Sequence, residues 1–307
     1  MANTCSIVVV VCNRATVVPR RYASIRGEDM ALKKSDLLEL KMPSNAKQPC
    51  TSFGLHPDLP FLQKMYDAGD LALLSNTGSL VAPVTMDDYA KKGAGKGELF
   101  PPGLFAHNVM QKNVKTVHAA NGEAKGVLGR IVAELSKGSA AMQSAMYSIA
   151  GYQRMLDGAM TPNIISSSDG VLRFTDYTPL AEDIAKLSEL ESQSIIADAY
   201  SAVLQSTLKS TESLGANLAP VNLETKFDTT GNDLAKQLKE VSRVIKLDTA
   251  SKAERAVFYT QQGGYDTHGT VKPFAVAAVL DGPGGVEGGG GIILNGFAAV
   301  PTSWGGS

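Results

Sequence analysis

Charge imbalance, an even cysteine set and long apolar runs are all missing from this 307-residue chain. It holds 29 Lys+Arg against 30 Asp+Glu, a net charge of −1. So balanced a chain offers no basic field to collect a phosphate backbone, which argues against nucleic-acid binding. No window approaches ~18 consecutive apolar residues, so nothing reads as a membrane span. The cysteines are Cys5, Cys12 and Cys50, an odd count without metal-type spacing. That pattern excludes a disulfide framework and a zinc knuckle. Cys5 and Cys12 flank the first apolar run and read as small buried hydrophobes. Ile7–Val11 is too short for the ~7–15-residue apolar core of a secretory leader, and none is expected in the chain as it stands. A Gly-x-Ser-x-Gly elbow is also absent, which removes the usual signal for a nucleophilic serine.

What is present is enough apolar sequence, 44% of the residues, to bury a large α/β core. Ile7–Cys12 is a continuous β-branched run, the pattern of a strand covered on both faces. Leu59, Leu62, Met65 and Tyr66 recur at helical spacing between Pro57 and Ala68, and Gly69 supplies the stop. Leu71–Leu74 then reads as a strand, so helix followed by buried strand predicts half of a βαβ unit. Further helices are predicted over Leu104–Val117, Val127–Leu135 and Leu234–Leu247, with one or two surface helices across Leu180–Leu208. Strands are predicted at Met146–Ala150 and Ala256–Thr260. The fold class is therefore α/β, a mostly parallel sheet flanked by helices. Beyond Val271 the composition changes: residues 282–307 hold ten of the 30 glycines, and no Lys or Arg follows Lys272. Such a segment lacks the side chains of a packed helix and reads either as a loop-and-hairpin ending or as sequence that does not belong to a complete fold.

The richest chemistry lies in Gly263-Gly264-Tyr265-Asp266-Thr267-His268-Gly269, directly after the apolar run Ala256–Thr260. Two glycines let a strand end turn sharply and approach a ligand. Asp266 and His268 then stand at a strand's carboxyl end, where open α/β sheets gather their sites. Oxygen and nitrogen ligands of this kind suit a divalent ion such as zinc or manganese. A tight turn whose Asp and His bond only the loop accounts for the same residues.

Other candidates carry less. His107 falls in a predicted helix, either as a proton carrier or as a helix-face imidazole bonded to a carbonyl. His56 precedes a proline at a helix start and reads as structural, and His118 reads as solvated. Asp87 and Asp88 are adjacent, so their side chains diverge and suit a loop or helix start better than a shared proton or metal. Gly93-x-Gly95-x-Gly97 with Lys91, Lys92 and Lys96 lacks the spacing and the strand-then-helix context of a phosphate loop.

Taken together in order, several segments resemble one family. Phe53-Gly54-Leu55-His56-Pro57, a helix, and "GDLALLSNTG" (69–78) are similar to the family catalogued only as domain of unknown function 1501. So are Leu104–Gln111, Gly126–Ile131 and the Asp-Thr-His turn with its preceding helix and strand. The resemblance covers residues 5–271 and implies an alkaline-phosphatase/sulfatase-like fold. In that superfamily a divalent-metal cluster at the sheet's carboxyl end activates a nucleophile against phosphate or sulfate esters. By resemblance, Asp266 and His268 are metal ligands and His107 stands close by, with zinc, manganese or calcium as the ion. The substrate class implied is a small-molecule or polysaccharide ester. Family members are mostly exported.

The chain departs from the family's pattern at both ends. The first strand should run into a Gly-Gly-x-Asp turn, but Cys12-Asn13-Arg14 stands there, with Cys12 at the acid's place. Ala106 replaces the serine of a Ser-His pair. After the Asp-Thr-His turn a helix, a strand and a second Asp-His segment are missing, which implies a deletion near residues 272–283. The expected organisation is a family-like region over 1–271 and a divergent glycine-rich segment over 272–307. The expected function is a phosphatase/sulfatase-type hydrolase whose site is incomplete, since two ligands are too few; Asp29, Asp36 and His107 are candidate third ligands. A non-catalytic secreted binding or surface protein on the same fold is the alternative. Loss of sheet elements would expose apolar edge and face, so self-association is expected as well.

Overall fold

The computed structural model describes residues 11–12, 32–45, 47, 52–57, 59–73, 80–91, 98–104, 106–121, 123–137, 144–190, 192–248, 254–261, 292–293 and 297–301. The chain divides into two compact units, Met1–Val127 with Gln262–Ala298 and Leu128–Gln261 with Ala299–Ser307.

In the first unit, strands β1 (Val11–Cys12), β2 (Leu38–Lys41) and β3 (Ser52–Leu55) form a sheet in the order β1-β3-β2. Both pairings are antiparallel, with Val11 opposite Gly54 and Leu40 opposite Phe53. Helix α1 (Pro60–Ala68) begins three residues later than the periodicity predicts, because Leu59 donates to the His56 carbonyl and closes a turn first. Gly69 ends it in the left-handed region at φ 84°, where a residue with a Cβ is strained. Leu62 buries into a core with Leu40, Leu55 and Leu59. The helix also closes the open side of β2: Gln63 donates to the Glu39 carbonyl at 2.8 Å, and Tyr66 to that of Lys41 at 3.3 Å. Edge carbonyls two residues apart point the same way, so one helix can satisfy both.

The expected strand at Leu71–Leu74 is not one among its described residues. Leu71 and Leu73 instead pack on the core from outside any helix or strand. An apolar pair at i and i+2 seals a core equally well from a loop, which is why the run misleads. Helix α2 (Met86–Lys91) opens with a capping box: Thr85 N–H donates to the Asp88 carboxylate at 2.9 Å, and Asp88 N–H to the Thr85 hydroxyl at 3.1 Å. Asp87 and Asp88 are thus first-turn acids, placed where the helix dipole favours them. Helix α3 (His107–Thr116) follows.

The second unit opens with helix α4, Val127–Leu135 as predicted. Three strands, β4 (Ser144–Ser148), β5 (Asn163–Ile164) and β6 (Arg255–Tyr259), then run parallel in the order β5-β4-β6 within a five-stranded sheet. β4 and β6 run in register from Ser144 opposite Arg255 to Ser148 opposite Tyr259. β4 begins two residues before the predicted Met146, because Ser144 and Ala145 join the ladder despite their low apolar content. Tyr147 and Phe258, paired across the strands, stack at 5.2 Å between ring centroids. Helix α5 (Tyr177–Ser188), helix α6 (Ile195–Leu218) and helix α7 (Asp233–Asp248) carry the chain across to β6. Leu218 of α6 and Val241 and Val244 of α7 cover the face that holds Tyr147 and Phe258. Arg243 ties the two helices, donating to the Leu218 carbonyl at 2.8 Å and pairing with Glu240 at 2.8 Å. A cation against the last carbonyls of a helix opposes its negative end.

The fold is mixed α/β, with β4 paired parallel to both β5 and β6. The first unit's sheet is antiparallel, and so is the pairing of strand β7 (Ile292–Ile293) with strand β8 (Phe297–Pro301). The three parallel strands fit the expected α/β class, while Val11–Cys12 pairs antiparallel with β3 rather than entering a parallel sheet through a crossover. Among the described residues no helix is long and apolar enough to cross a membrane.

Candidate functional site at the carboxyl rim of the parallel sheet

Parallel strands leave a sheet along one edge, and here the residues after β4, β5 and β6 share that rim. After β4, Ile149 N–H donates to the Tyr259 carbonyl at 2.9 Å, and Ile165 N–H donates to the Ser148 carbonyl at 2.9 Å. These bonds carry the ladder one residue past the strand ends. The Ser148 side chain is buried and donates to the Gly151 carbonyl, while Gln153 donates to that of Ala150 at 2.7 Å. The turn after β4 is thus tied down by side chains rather than left open.

After β6 the fastening is tighter. Gln237 of α7, 6% exposed, accepts from Gln261 N–H at 2.8 Å and donates to the Gln261 carbonyl at 2.8 Å. One amide side chain thereby satisfies both backbone groups of Gln261, just past the end of β6. The clamp sits two residues before Gly263, so it sets the direction in which the chain leaves the rim. Tyr259 donates to the Gln261 side-chain oxygen at 3.3 Å. Burial pushes the Tyr259 phenol up to about 12. The neutral phenol is the form the fold holds, so this group's contribution is intact below pH 10. It is lost as pH rises from about 10 to about 12, where the unfolded chain has released a proton and the native chain has not. Absorbance titration of phenolate should show a late step above the bulk of the tyrosines, and Tyr259→Phe should remove it. If Tyr259→Phe leaves every step in place, burial is not holding this phenol neutral.

After β5, Ser166 and Gly170 bridge a turn in which Ser168 and Ser166 both donate to the Asp169 carboxylate, at 2.5 and 2.9 Å. Those hydroxyls, Ser168 first and then Ser166, hold the Asp169 carboxyl below its usual range. This exposed carboxylate at the rim was not singled out from the sequence. Its signal is the Ser-Ser-Ser-Asp-Gly run after a β-prone Ile-Ile pair, which a turn explains on its own.

Close packing of helix against rim explains one further motif. Gly129, in the Gly126–Ile131 segment, lies directly against Gly158 in the turn that follows Arg154–Leu156. A Cβ on Gly129 would stand 2.9 Å from the Gly158 Cα, and one on Gly158 would stand 2.8 Å from the Gly129 Cα. Neither residue needs its glycine for backbone torsion; both need it for contact. Arg154 and Asp157 pair across the same turn at 3.2 Å.

Asp266 and His268 lie outside the described residues, following Gln261 by five and seven positions. His107 is the first residue of α3. Ala106 is the N-cap of that helix and makes no side-chain cap bond. A serine at that position would be able to accept from the helix N-terminus, so the family's Ser-His pair has a capping explanation beside any chemical one. His118 is exposed, and its N–H donates to the Thr116 hydroxyl. Asp36 sits in a short 3-10 turn, Lys34–Asp36, accepting from Ser35 at 2.8 Å. Cys12 pairs with Phe53 across β1 and β3. Asp29, like Gly93, Gly95 and Gly97, falls outside the described residues. Among the described residues no group of three or more His, Cys, Asp or Glu is placed to hold a metal. Comparisons with family models, curated proteins and solved structures return no match for this chain.

Proposed function

We propose that this chain carries the remnant of a phosphatase/sulfatase-type metal site, with Asp266 and His268 as ligands of a divalent ion and His107 in the same chemistry. The supporting observation is the Gln237–Gln261 clamp. It anchors the backbone at the carboxyl end of a buried parallel strand, immediately ahead of the Gly-Gly turn that bears both ligands. A rigid approach to a ligand-bearing turn is what a site needs to hold geometry. Zinc, manganese or calcium would act as a Lewis acid toward a phosphate or sulfate ester oxygen. A working zinc site takes three protein ligands and keeps an open position. Two recognisable ligands bind an ion without fixing its geometry, so the reading is weak metal binding with little or no turnover.

The test is metal content and titration calorimetry with zinc, manganese and calcium, alongside aryl phosphate and aryl sulfate hydrolysis with and without chelator. Expected is binding that Asp266→Ala and His268→Ala each weaken about tenfold or more, with no chelator-sensitive hydrolysis. Metal binding unchanged in both variants would remove the ligand assignment. Chelator-sensitive turnover would instead show that the site is complete.

A further inference from the structure

We infer that the hairpin of α5 and α6 is a self-association surface that pairs with the same hairpin of a second copy of this chain. Neither helix carries Asp266, His268 or His107, so the inference does not rest on the proposed metal site.

The observation is an inverted helix. Over its first half, the less exposed stripe of α6 is Asp198, Ser201, Gln205 and Leu208, mostly polar. Its apolar residues point outward: Ile195, Ile196, Tyr200 and Val203 are 87, 83, 69 and 58% exposed, and Leu204 is exposed beside them. Leu187 and Leu190, at the end of α5, are exposed at the same end of the hairpin. Ile196, Tyr200 and Val203 follow one another at intervals of four and three, the spacing of a helix–helix seam. Only in its last turns does α6 bury residues, Glu212, Gly215 and Leu218. There Glu212 accepts from Arg173 at 2.6 Å and from Phe174 N–H at 2.9 Å, which holds the base of the hairpin to the unit.

The area matches what a stable pair requires. A Leu-sized side chain offers on the order of 100 Å² of apolar surface to bury. Seven such residues make an apolar core of roughly 500 Å² once partial exposure is counted. With the usual ~60% apolar share that corresponds to about 800 Å² per partner, the size of a standard interface. Left open, the patch would stand near the top of the range seen on monomers, ~300–600 Å².

Charge selects the occupant. Between Ile195 and Thr207 the only charged residue is Asp198, which lies on the opposite, less exposed stripe. The exposed stripe of α6 has no Lys or Arg and so does not suit an anionic membrane surface, and beside Leu187 on α5 the exposed Lys186 is paired with Glu182 at 2.7 Å. An uncharged apolar stripe is complementary to itself under a two-fold axis. Antiparallel pairing about Tyr200 sets Ile196 of one protomer against Leu204 of the second copy, and Tyr200 against Tyr200.

Sedimentation equilibrium of the whole chain through the micromolar range tests this. Expected is a monomer–dimer equilibrium whose dissociation constant rises at least about tenfold in Ile196→Glu and in Val203→Glu, because each buries an unpaired carboxylate. Both positions are exposed in the monomer, so helix content by circular dichroism should stay the same. Under oxidation, Tyr200→Cys should cross-link into a dimer, whereas Tyr152→Cys, at an exposed tyrosine outside the hairpin, should not. A wild-type chain that stays monomeric, or a dimer unmoved by both Glu variants, overturns the inference. So does equal cross-linking at positions 152 and 200, or binding to phosphatidylcholine vesicles by a chain that does not self-associate.

Discussion

Gly129→Ala is expected to lower stability by about 3 kcal/mol, although alanine is the better helix former. Two effects oppose each other. Within a helix, Ala gains up to ~1 kcal/mol over Gly. Against that, the new Cβ would stand 2.6 Å from the Asp157 carbonyl carbon and 2.9 Å from the Gly158 Cα. These are backbone atoms, which cannot swing aside as a side chain would, so helix α4 and the turn must separate. Overpacking of a close contact costs ~1–3 kcal/mol and more when backbone must move, so the clash wins. Gly158→Ala should cost a similar amount, since its Cβ meets the Gly129 carbonyl oxygen at 2.7 Å. Because both variants open the same contact, the double variant should cost clearly less than the sum. Chemical denaturation of the three variants decides the matter. A Gly129→Ala chain as stable as the wild type would mean the helix and turn are not in contact, and additive costs would mean they do not share one interface.

The second large effect concerns Gln237. Gln237→Leu keeps the volume but removes the partners of both the N–H and the C=O of Gln261, in bonds that are half-buried beside an exposed residue. Each such bond contributes ~0.5–1.5 kcal/mol net, so a decrease of about 1–3 kcal/mol is expected, or roughly 6 °C in Tm for a unit of this size. Gln261→Ala is the control. It keeps the clamp, which uses only the Gln261 backbone, and removes only the long contact from Tyr259. Thermal melts should therefore separate the two variants widely. Equal melting temperatures for Gln237→Leu and wild type would show that water or another group satisfies Gln261. If the clamp also orients the turn that follows, Gln237→Leu should weaken zinc binding even at temperatures where the chain is fully folded. Unchanged zinc affinity would confine the clamp to stability.

Helices were legible from the order of residues because their signals are local. Pro57–Ala68 with its Gly69 stop, Val127–Leu135, and Leu234–Leu247 each present an apolar stripe at i, i+3 and i+4, and each forms within a few residues of that reading. The buried strands Ser144–Ser148 and Arg255–Tyr259 were readable for a similar reason: both faces are covered, so the apolar run is continuous. Leu180–Leu208 was correctly read as surface helix, but nothing in its periodicity tells which stripe faces outward. The apolar residues at Ile196, Tyr200 and Val203 would have been assigned to a core by any rule that buries what is hydrophobic.

Composition and periodicity determine, without any neighbour, that this chain is α/β, that its charges nearly balance, and where most helices begin and stop. Pairing direction is different in kind. Whether Val11–Cys12 meets Ser52–Leu55 antiparallel, and whether Leu71–Leu73 joins a ladder or merely seals a core, depends on partners far away in the chain. The same holds for the Gly129–Gly158 contact and for the grip of Gln237 on Gln261, 24 positions apart. A side chain's local preference is set by its own backbone, and its usefulness is set by whatever the fold brings against it.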